Sequence, residues 1–182
     1  HSTLFDADTT LLAVKLRRMD APVNLSRHCR SQPIRAGLQK RQNLYCMSML
    51  KSDLRREIRM RKRQFTEQQL RELSLSVIER VLSHPRVLAA KTILFYYSLP
   101  DEVFTHEAID TLVSAGKRVL LPVVLPDNEM ELRLYHSPND MSEDQFHIKE
   151  PCGATFSALD TIDVALVPGM SFDDQGHRLG RG

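Results

Sequence analysis

From Leu50 to Phe65, apolar residues recur at nearly helical intervals within a strongly basic stretch. The apolar positions are Leu50, Leu54, Ile58 and Phe65, and the cations on the neighbouring face are Lys51, Arg55, Arg59 and Lys62. One apolar stripe beside a polar face is typical of a helix that packs on one side and faces solvent on the other. The pattern therefore predicts an amphipathic, very basic helix from Leu50 onward.

A second helix is predicted to start at Glu67. Thr66 and Gln69 have the spacing of a capping box, in which each side chain bonds the other residue's backbone N–H. The helix carries four apolar residues inward and ends near His84 and Pro85. The inward residues are Leu70, Leu73, Val77 and Val81.

Strands and helices alternate further along the chain. Apolar and β-branched runs predict strands at 92–98, 118–124, 130–136 and 163–172, while 140–151 reads as irregular. Between the first two strands, Thr105 is expected to cap a third helix that buries Ile109, Leu112 and Val113 and stops at Gly116. This order predicts a layered α/β fold, with a mostly parallel sheet and helices on both faces.

Ligands of such sheets bind beyond the carboxyl ends of the strands. Residues 98–102 and 173–182 both follow a predicted strand, so we expect them to form the two walls of one cleft. The first of these loops carries Asp101 and Glu102. They are either ligand-binding carboxylates or acids that favour the dipole of the next helix.

The second loop combines Arg178 and Arg181 with Gly176, Gly180 and Gly182. Bare backbone amides and fixed cations suit a polyphosphate, although a glycine-rich surface turn would have the same composition. Lys51 and Arg55 are four residues apart, so they share one face of the first helix and could hold adjacent phosphate oxygens. The alternative is a solvated basic face.

Composition separates the front of the chain from the rest. Residues 1–48 contain eight Lys/Arg and three Asp/Glu, a net charge of +5, so the remainder of a chain with net charge +2 carries −3. The front segment lacks a sustained apolar period, which predicts a disordered or spuriously translated extension ahead of one domain at 49–182. The three cysteines form no CxxC, which indicates free thiols in a reducing, cytoplasmic compartment. No apolar run is long enough to cross a membrane.

Several segments, in this order, resemble the 5-formyltetrahydrofolate cyclo-ligase family, also called methenyltetrahydrofolate synthetases. They are KSDLR at 51–55, DEVFT at 101–105, KRVLLP at 117–122, NEM at 128–130, PGMSFD at 168–173 and GHRLGRG at 176–182. The resemblance covers the chain from about residue 49 onward, and its last motif is the most specific.

The resemblance implies a reaction in which 5-formyltetrahydrofolate and ATP, with Mg²⁺, give 5,10-methenyltetrahydrofolate, ADP and phosphate. It implies ATP binding by the two motifs at the ends of the domain, with Arg181 catalytic beside the transferred phosphoryl group. The implied ATP-binding residues are Lys51, Ser52, Asp53, Leu54, Arg55, Arg178, Leu179, Gly180, Arg181 and Gly182. The implied folate-binding residues are Tyr97, Glu102, Met130, Arg181 and Gly182.

The chain departs from the family pattern after Gly182. Family members continue with a glycine, a Tyr-Tyr pair and an Asp that serves the magnesium, followed by further strands. We therefore expect the metal ligand and the last strands to lie outside this chain, which leaves an inactive fragment as one alternative. Another alternative is a different kinase or ligase on the same fold.

A third alternative is a nucleic-acid-binding module at 15–63, which contains seven cations from Lys51 to Arg63. Asp53 and Glu57 interrupt that basic run and no aromatic residues are interleaved for base stacking, so nucleic acid is the weaker prediction.

Overall fold

The protein is described here by a computed structural model. The structure describes residues 2–3, 13–18, 38–126, 129–143, 149–173 and 176–181, with side chains from residue 50 onward. Its helices are α1 (Leu38–Lys62), α2 (Glu67–Leu82), α3 (Pro85–Ala89) and α4 (His106–Ser114). Its strands are β1 (Ser2–Thr3), β2 (Ala13–Arg18), β3 (Thr92–Leu94), β4 (Arg118–Val124), β5 (Met130–Tyr135), β6 (Met141–Glu143), β7 (Lys149–Pro151), β8 (Val164–Gly169), β9 (Ser171–Phe172) and β10 (Arg178–Leu179).

The main sheet has the strand order β1-β2-β8-β3-β4-β5. Its centre is parallel, because β3 pairs in parallel with both β4 and β8. The flanking strands β2 and β5 pair antiparallel with β8 and β4. The predicted layered α/β fold is confirmed, and the carboxyl ends of β8, β3 and β4 lie at one edge of the sheet.

Two small hairpins complete the strands. β9 pairs with β10, so the last predicted strand ends at Gly169 and the chain turns into a separate hairpin. β6 pairs with β7 in the stretch 140–151, which the sequence had indicated to be irregular.

Two apolar clusters pack on opposite faces of the sheet. In β4, Val119 and Leu121 belong to the larger cluster and Leu120 to the smaller one, as alternation along a strand requires. The buried apolar residues of α2, α3 and α4 all join the larger cluster. In the described part of the chain, the smaller cluster is covered by Phe156 and the 3₁₀ turn Leu159–Thr161. The sequence predicts helices on both faces of the sheet; α2, α3 and α4 all pack on the same face.

The ends of α2 and α4 follow local signals. Gln69 N donates to Thr66 Oγ1 at 3.2 Å and Thr66 N donates to Gln69 Oε1 at 2.9 Å, which confirms the capping box. Gly116 has φ of +78°, a left-handed conformation that favours glycine after a helix. At the start of α4, however, Thr105 makes no side-chain cap.

α1 differs from its prediction in length and in facing. It begins at Leu38, well before the apolar stripe. Ile58 is buried, but Leu50 and Leu54 are 63% and 45% exposed, so the expected inward stripe is wrong at these two positions. Across all the residues that the structure describes, no helix combines the length and apolar character needed to cross a bilayer.

Asp163 joins the starts of β8 and β3. Its Oδ2 accepts hydrogen bonds from Lys91 N at 2.8 Å and Thr92 N at 2.9 Å. The Thr92 bond, followed by the bond from Lys91, lowers the pKa of this carboxyl group despite some opposing desolvation. The carboxylate therefore stabilises the fold above the unfolded-state pKa, about 4, and this contribution is lost as the pH falls through the lower folded-state pKa.

We expect Asp163→Asn to lower the free energy of unfolding at pH 7 by about 1 kcal/mol, because the carboxylate is exposed and water competes for its bonds. Urea unfolding at pH 7 and pH 3 would measure this, and the difference between variant and wild type is expected to shrink at pH 3. The matched control is Asp160→Asn at a nearby exposed carboxylate. Equal losses at both positions would contradict a role for the two backbone bonds.

Candidate functional site

Three segments meet at the carboxyl edge of the sheet, and we call them together the charged site: residues 51–62 of α1, 99–102 after β3, and 178–181 at the end of the chain. Arg55 Nε donates to Gly180 O at 2.8 Å and Lys62 Nζ donates to Asp101 O at 2.6 Å. Arg181 forms an ion pair with Asp101. Each segment therefore contacts the other two, and the two predicted walls of the cleft touch.

The 99–102 loop holds Glu102 in a defined orientation. Glu102 N donates to Leu99 O at 3.0 Å, and Leu99 N donates to Glu102 Oε2 at 3.0 Å. The other carboxylate oxygen, Oε1, lies 3.6 Å from Arg181 Nε. The Glu102 side chain is only 13% exposed, so one oxygen fixes the loop while the other faces the cationic side of the site.

The base of this loop is closed by buried hydroxyl groups. Ser98 N donates to Thr105 Oγ1 and Thr105 N donates to Ser98 Oγ, both at 3.1 Å. Thr105 Oγ1 also donates to Tyr96 O at 2.8 Å. The expected helix-capping role of Thr105 is wrong because its hydroxyl is used across the loop, where it holds residues 99–102 at the sheet edge.

An aromatic stack borders the loop. The rings of Tyr97 and His106 are 3.7 Å apart and nearly parallel, at 14°. His106 Nε2 donates to Ser98 O at 3.1 Å. Burial lowers the pKa of His106 and raises the pKa of Tyr97, so both rings are neutral at neutral pH. Neutral stacked rings form a surface that suits a flat heterocycle.

The end of the chain is shaped by glycines with different roles. A Cβ at Gly169 would lie 2.7 Å from the Phe172 ring, which would have to shift, and Gly176 has φ of +79°, a left-handed conformation that favours glycine. A Cβ at Gly180 would meet nothing closer than 3.8 Å. The described fold therefore gives no steric reason for glycine at Gly180, which leaves space there for a ligand.

The cations implied to bind phosphate have different partners in the structure. Lys51 is exposed one turn before Arg55 on the same face of α1. Arg178 donates to Pro168 O at 2.9 Å, which ties β10 to the end of β8. Asp53 pairs with Arg56 on the surface. The structure thus brings Arg55, Gly180 and Arg181 to one place, with Lys51 at its rim.

Met130 lies at the same edge of the sheet. It is exposed and pairs in register with Val124, the last residue of β4, which is also exposed. The two side chains offer an apolar surface near the carboxyl ends of the parallel strands. Gly182, the other residue implied for both substrates, lies outside the described residues.

Lys62 is a site residue that the sequence pattern does not single out. The pattern places it on the basic face of α1, yet it is only 6% exposed. Burial lowers its pKa, while the nearby Asp101 carboxylate acts in the opposite direction. Its spacing of four residues from the buried Ile58 was the available signal.

The basic run of α1 is also partly neutralised. Arg56 pairs with Asp53 and Arg61 pairs with Glu57, while Lys62 is buried. These contacts occupy three of the seven cations on which the nucleic-acid alternative depended. Within the described ranges, no group of three His, Cys, Asp or Glu side chains is placed to hold a metal ion.

Comparisons with known proteins point to one family. A sequence model of the 5-formyltetrahydrofolate cyclo-ligase family matches residues 47–182. The 5-formyltetrahydrofolate cyclo-ligase of Escherichia coli K12 is 33% identical over 129 residues, covering 69% of this chain and 71% of the relative. The mouse (Mus musculus) enzyme of the same name is 29% identical over 140 residues, covering 72% and 69%.

Solved structures agree with the sequence matches. The structure of Aquifex aeolicus 5,10-methenyltetrahydrofolate synthetase superposes with a TM-score of 0.65 at 33% identity, covering 73% of this chain and 68% of that protein. A Mycoplasma pneumoniae 5,10-methenyltetrahydrofolate synthetase has a TM-score of 0.55 at 22% identity, which supports the fold alone.

Proposed function

Because this chain belongs to the 5-formyltetrahydrofolate cyclo-ligase family and is therefore an enzyme, we propose that it closes 5-formyltetrahydrofolate to 5,10-methenyltetrahydrofolate, with conversion of ATP to ADP and phosphate. The observation that carries the proposal is the meeting of three segments at the charged site. Residues implied to bind phosphate and residues implied to bind folate contact each other there through Arg181.

The chemistry requires that juxtaposition. The N5-formyl carbon is amide-like, and ring closure onto N10 needs its oxygen to leave. The formyl oxygen would attack the γ-phosphorus of ATP, and the bond from that phosphorus to ADP would break. N10 would then attack the activated carbon and lose its proton, and the C–O bond would break to release phosphate. Direct transfer of this kind depends mainly on positioning and charge neutralisation.

The residues of this chain divide between the two substrates. Lys51, Arg55, Arg178 and Arg181 would neutralise the phosphates, while the amides from Gly180 onward approach them closely. Glu102 would accept hydrogen bonds from the pterin N–H groups. Tyr97 and Met130 would flank the pterin ring. Arg181 pairs with Asp101 and lies close to Glu102 in this structure. When pterin N–H groups bind the Glu102 carboxylate, the Arg181 guanidinium would turn to the phosphates.

Mg²⁺ would accompany the ATP. Proteins hold this ion through one or two carboxylates together with substrate phosphates. The described residues supply no three-ligand group for it, so they do not form a cage of their own and no step is assigned to the ion. We place the enzyme in the cytoplasm, a proposal supported by the exposed free thiol of Cys152.

The direct test is the near-ultraviolet absorbance of methenyltetrahydrofolate. The chain, and the chain extended by the codons that follow Gly182, would be incubated with 5-formyltetrahydrofolate, Mg²⁺ and ATP. We expect product that requires ATP, with one ADP released per folate. Absence of an ATP-dependent signal from both proteins would rule out the proposal.

Glu102→Gln tests the folate side of the site. Loss of a charge-assisted acceptor, roughly 1.5–3 kcal/mol, is expected to raise the KM for 5-formyltetrahydrofolate about ten- to hundred-fold and to leave the KM for ATP unchanged. Steady-state kinetics with each substrate varied would measure both. Glu107→Gln, at an exposed carboxylate of α4, is the matched control. Equal effects on both substrates would contradict a folate-specific role.

A further inference from the structure

Lys62 is buried at the end of a helix face whose other cations, Lys51, Arg55 and Arg59, are exposed or half-buried. It is 6% exposed, and its ammonium donates to Asp101 O at 2.6 Å. The carboxylates of Asp101 and Glu102 and the guanidinium of Arg181 are the charges that act on it. Lys62 is therefore a member of a four-charge group that joins α1, the 99–102 loop and the end of the chain.

We propose that Lys62 is a positioning residue for folate: its bond to the Asp101 carbonyl fixes the turn that presents Glu102. This inference rests on the proposed function, since it assumes that Glu102 receives the folate. The comparisons and the motifs give Lys62 no role.

Within the described residues, the contacts that hold the loop are expected to respond differently when substrates bind. The Ser98–Thr105 hydroxyl bonds hold its base, and Lys62 and Arg181 both contact Asp101. Arg181 is 42% exposed and is the side chain implied to turn to phosphate. Lys62 is shielded from solvent, so it is the cation that can hold the loop while ATP occupies Arg181.

Burial also makes the role of Lys62 separable from stability. An ammonium group that is removed from water is costly, which is why burial lowers its pKa. A methionine of similar length would fill the same space without that cost. Lys62→Met is therefore expected to fold with little change in stability, because relief of the buried charge offsets the loss of the bond to Asp101.

The test compares three variants of the active chain by steady-state kinetics. We expect Lys62→Met to raise the KM for 5-formyltetrahydrofolate about ten-fold, the worth of one charge-assisted bond, and to change the KM for ATP less than two-fold. Lys62→Arg is expected to restore most of the folate affinity, because a guanidinium can donate to the same carbonyl. Ile58→Ala removes a buried side chain one turn before Lys62. This control is not expected to raise the KM for 5-formyltetrahydrofolate relative to the KM for ATP.

Two results would overturn the inference: an unchanged KM for 5-formyltetrahydrofolate in Lys62→Met, or an equal rise of that KM in Ile58→Ala. If Lys62→Met does not fold, Lys62→Leu, which likewise has no donor for the Asp101 carbonyl, takes its place with the same expectations. A wild type that binds 5-formyltetrahydrofolate without turnover would refute the proposed catalysis, and calorimetric Kd values for the same variants would then decide the role of Lys62. A wild type that binds no folate would refute both.

Discussion

Replacing Arg181 by alanine is expected to lower kcat for methenyltetrahydrofolate formation about a thousand-fold, the usual size of the effect when a cation is removed from a transferring phosphoryl group. Arg181 is the side chain that joins the two halves of the site, since it contacts Asp101 and Glu102 from the segment that also meets Arg55. Arg181→Lys is expected to recover part of the rate, because it keeps a charge but loses the planar fork.

The loss in Arg181→Ala is expected to be catalytic and not structural. The Arg181–Asp101 pair is about 40% exposed on each side, and exposed pairs contribute roughly 0–1 kcal/mol to stability. Thermal unfolding should therefore change little while turnover collapses. Arg86→Ala, at an exposed arginine of α3, is the control for loss of one positive charge. A kcat within a factor of three of wild type would remove Arg181 from the reaction.

Much of the fold can be predicted from signals that lie within short stretches of the sequence. The Thr66–Gln69 capping box set the start of α2 at Glu67, and Gly116 marked the end of α4. Both signals act within one turn of a helix, so neighbouring residues alone determine them. The alternation of strand and helix likewise predicted the parallel centre of the sheet, since parallel strands need a crossover between them.

Signals that depend on distant partners were read less well. α2 ends at Leu82, close to the predicted end near His84 and Pro85, but the sequence did not predict α3. Pro85 occupies the first turn of α3, where proline is favoured because its missing N–H would be unbonded anyway. Thr105 has the residue type of a helix cap, yet Ser98 and Tyr96 take its hydroxyl. In both cases the local sequence allows two arrangements and the surrounding structure chooses one.

The same difference between local signals and distant partners applies to the residues of the charged site. The order of the strands placed the 98–102 and 173–182 loops at one edge of the sheet, and the structure joins them there. Ile58 is buried as expected, but the exposure of Leu54 and the burial of Lys62 depart from the expected facing of α1, because Lys62 reaches a polar acceptor in the 99–102 loop. A lysine can extend its apolar stem through such a contact and still reach a polar acceptor, which composition alone does not reveal.

Gly153 and Gly180 are expected to respond to alanine in different ways. At Gly153, a Cβ would lie 2.0 Å from the main-chain oxygen of Leu134. The Leu134 N–H donates to Ala154 O, so the backbone next to Gly153 is held against this strand. Backbone cannot yield as a flexible side chain does, so Gly153→Ala is expected to cost about 3 kcal/mol of stability. Chemical unfolding would measure this loss without reference to any ligand.

At Gly180 the same substitution is expected to spare the fold and to damage nucleotide binding. The nearest atoms to a Cβ there are 3.8 Å away, so stability is expected to change by less than about 1 kcal/mol. If the space is where a phosphate approaches the backbone, the added methyl group would raise the KM for ATP about ten-fold or more, the equivalent of one charge-assisted hydrogen bond. The KM for 5-formyltetrahydrofolate would change less. An unaltered ATP affinity in a folded Gly180→Ala protein would show that this glycine serves only the turn, and the phosphates would then have to be placed elsewhere on the α1 face.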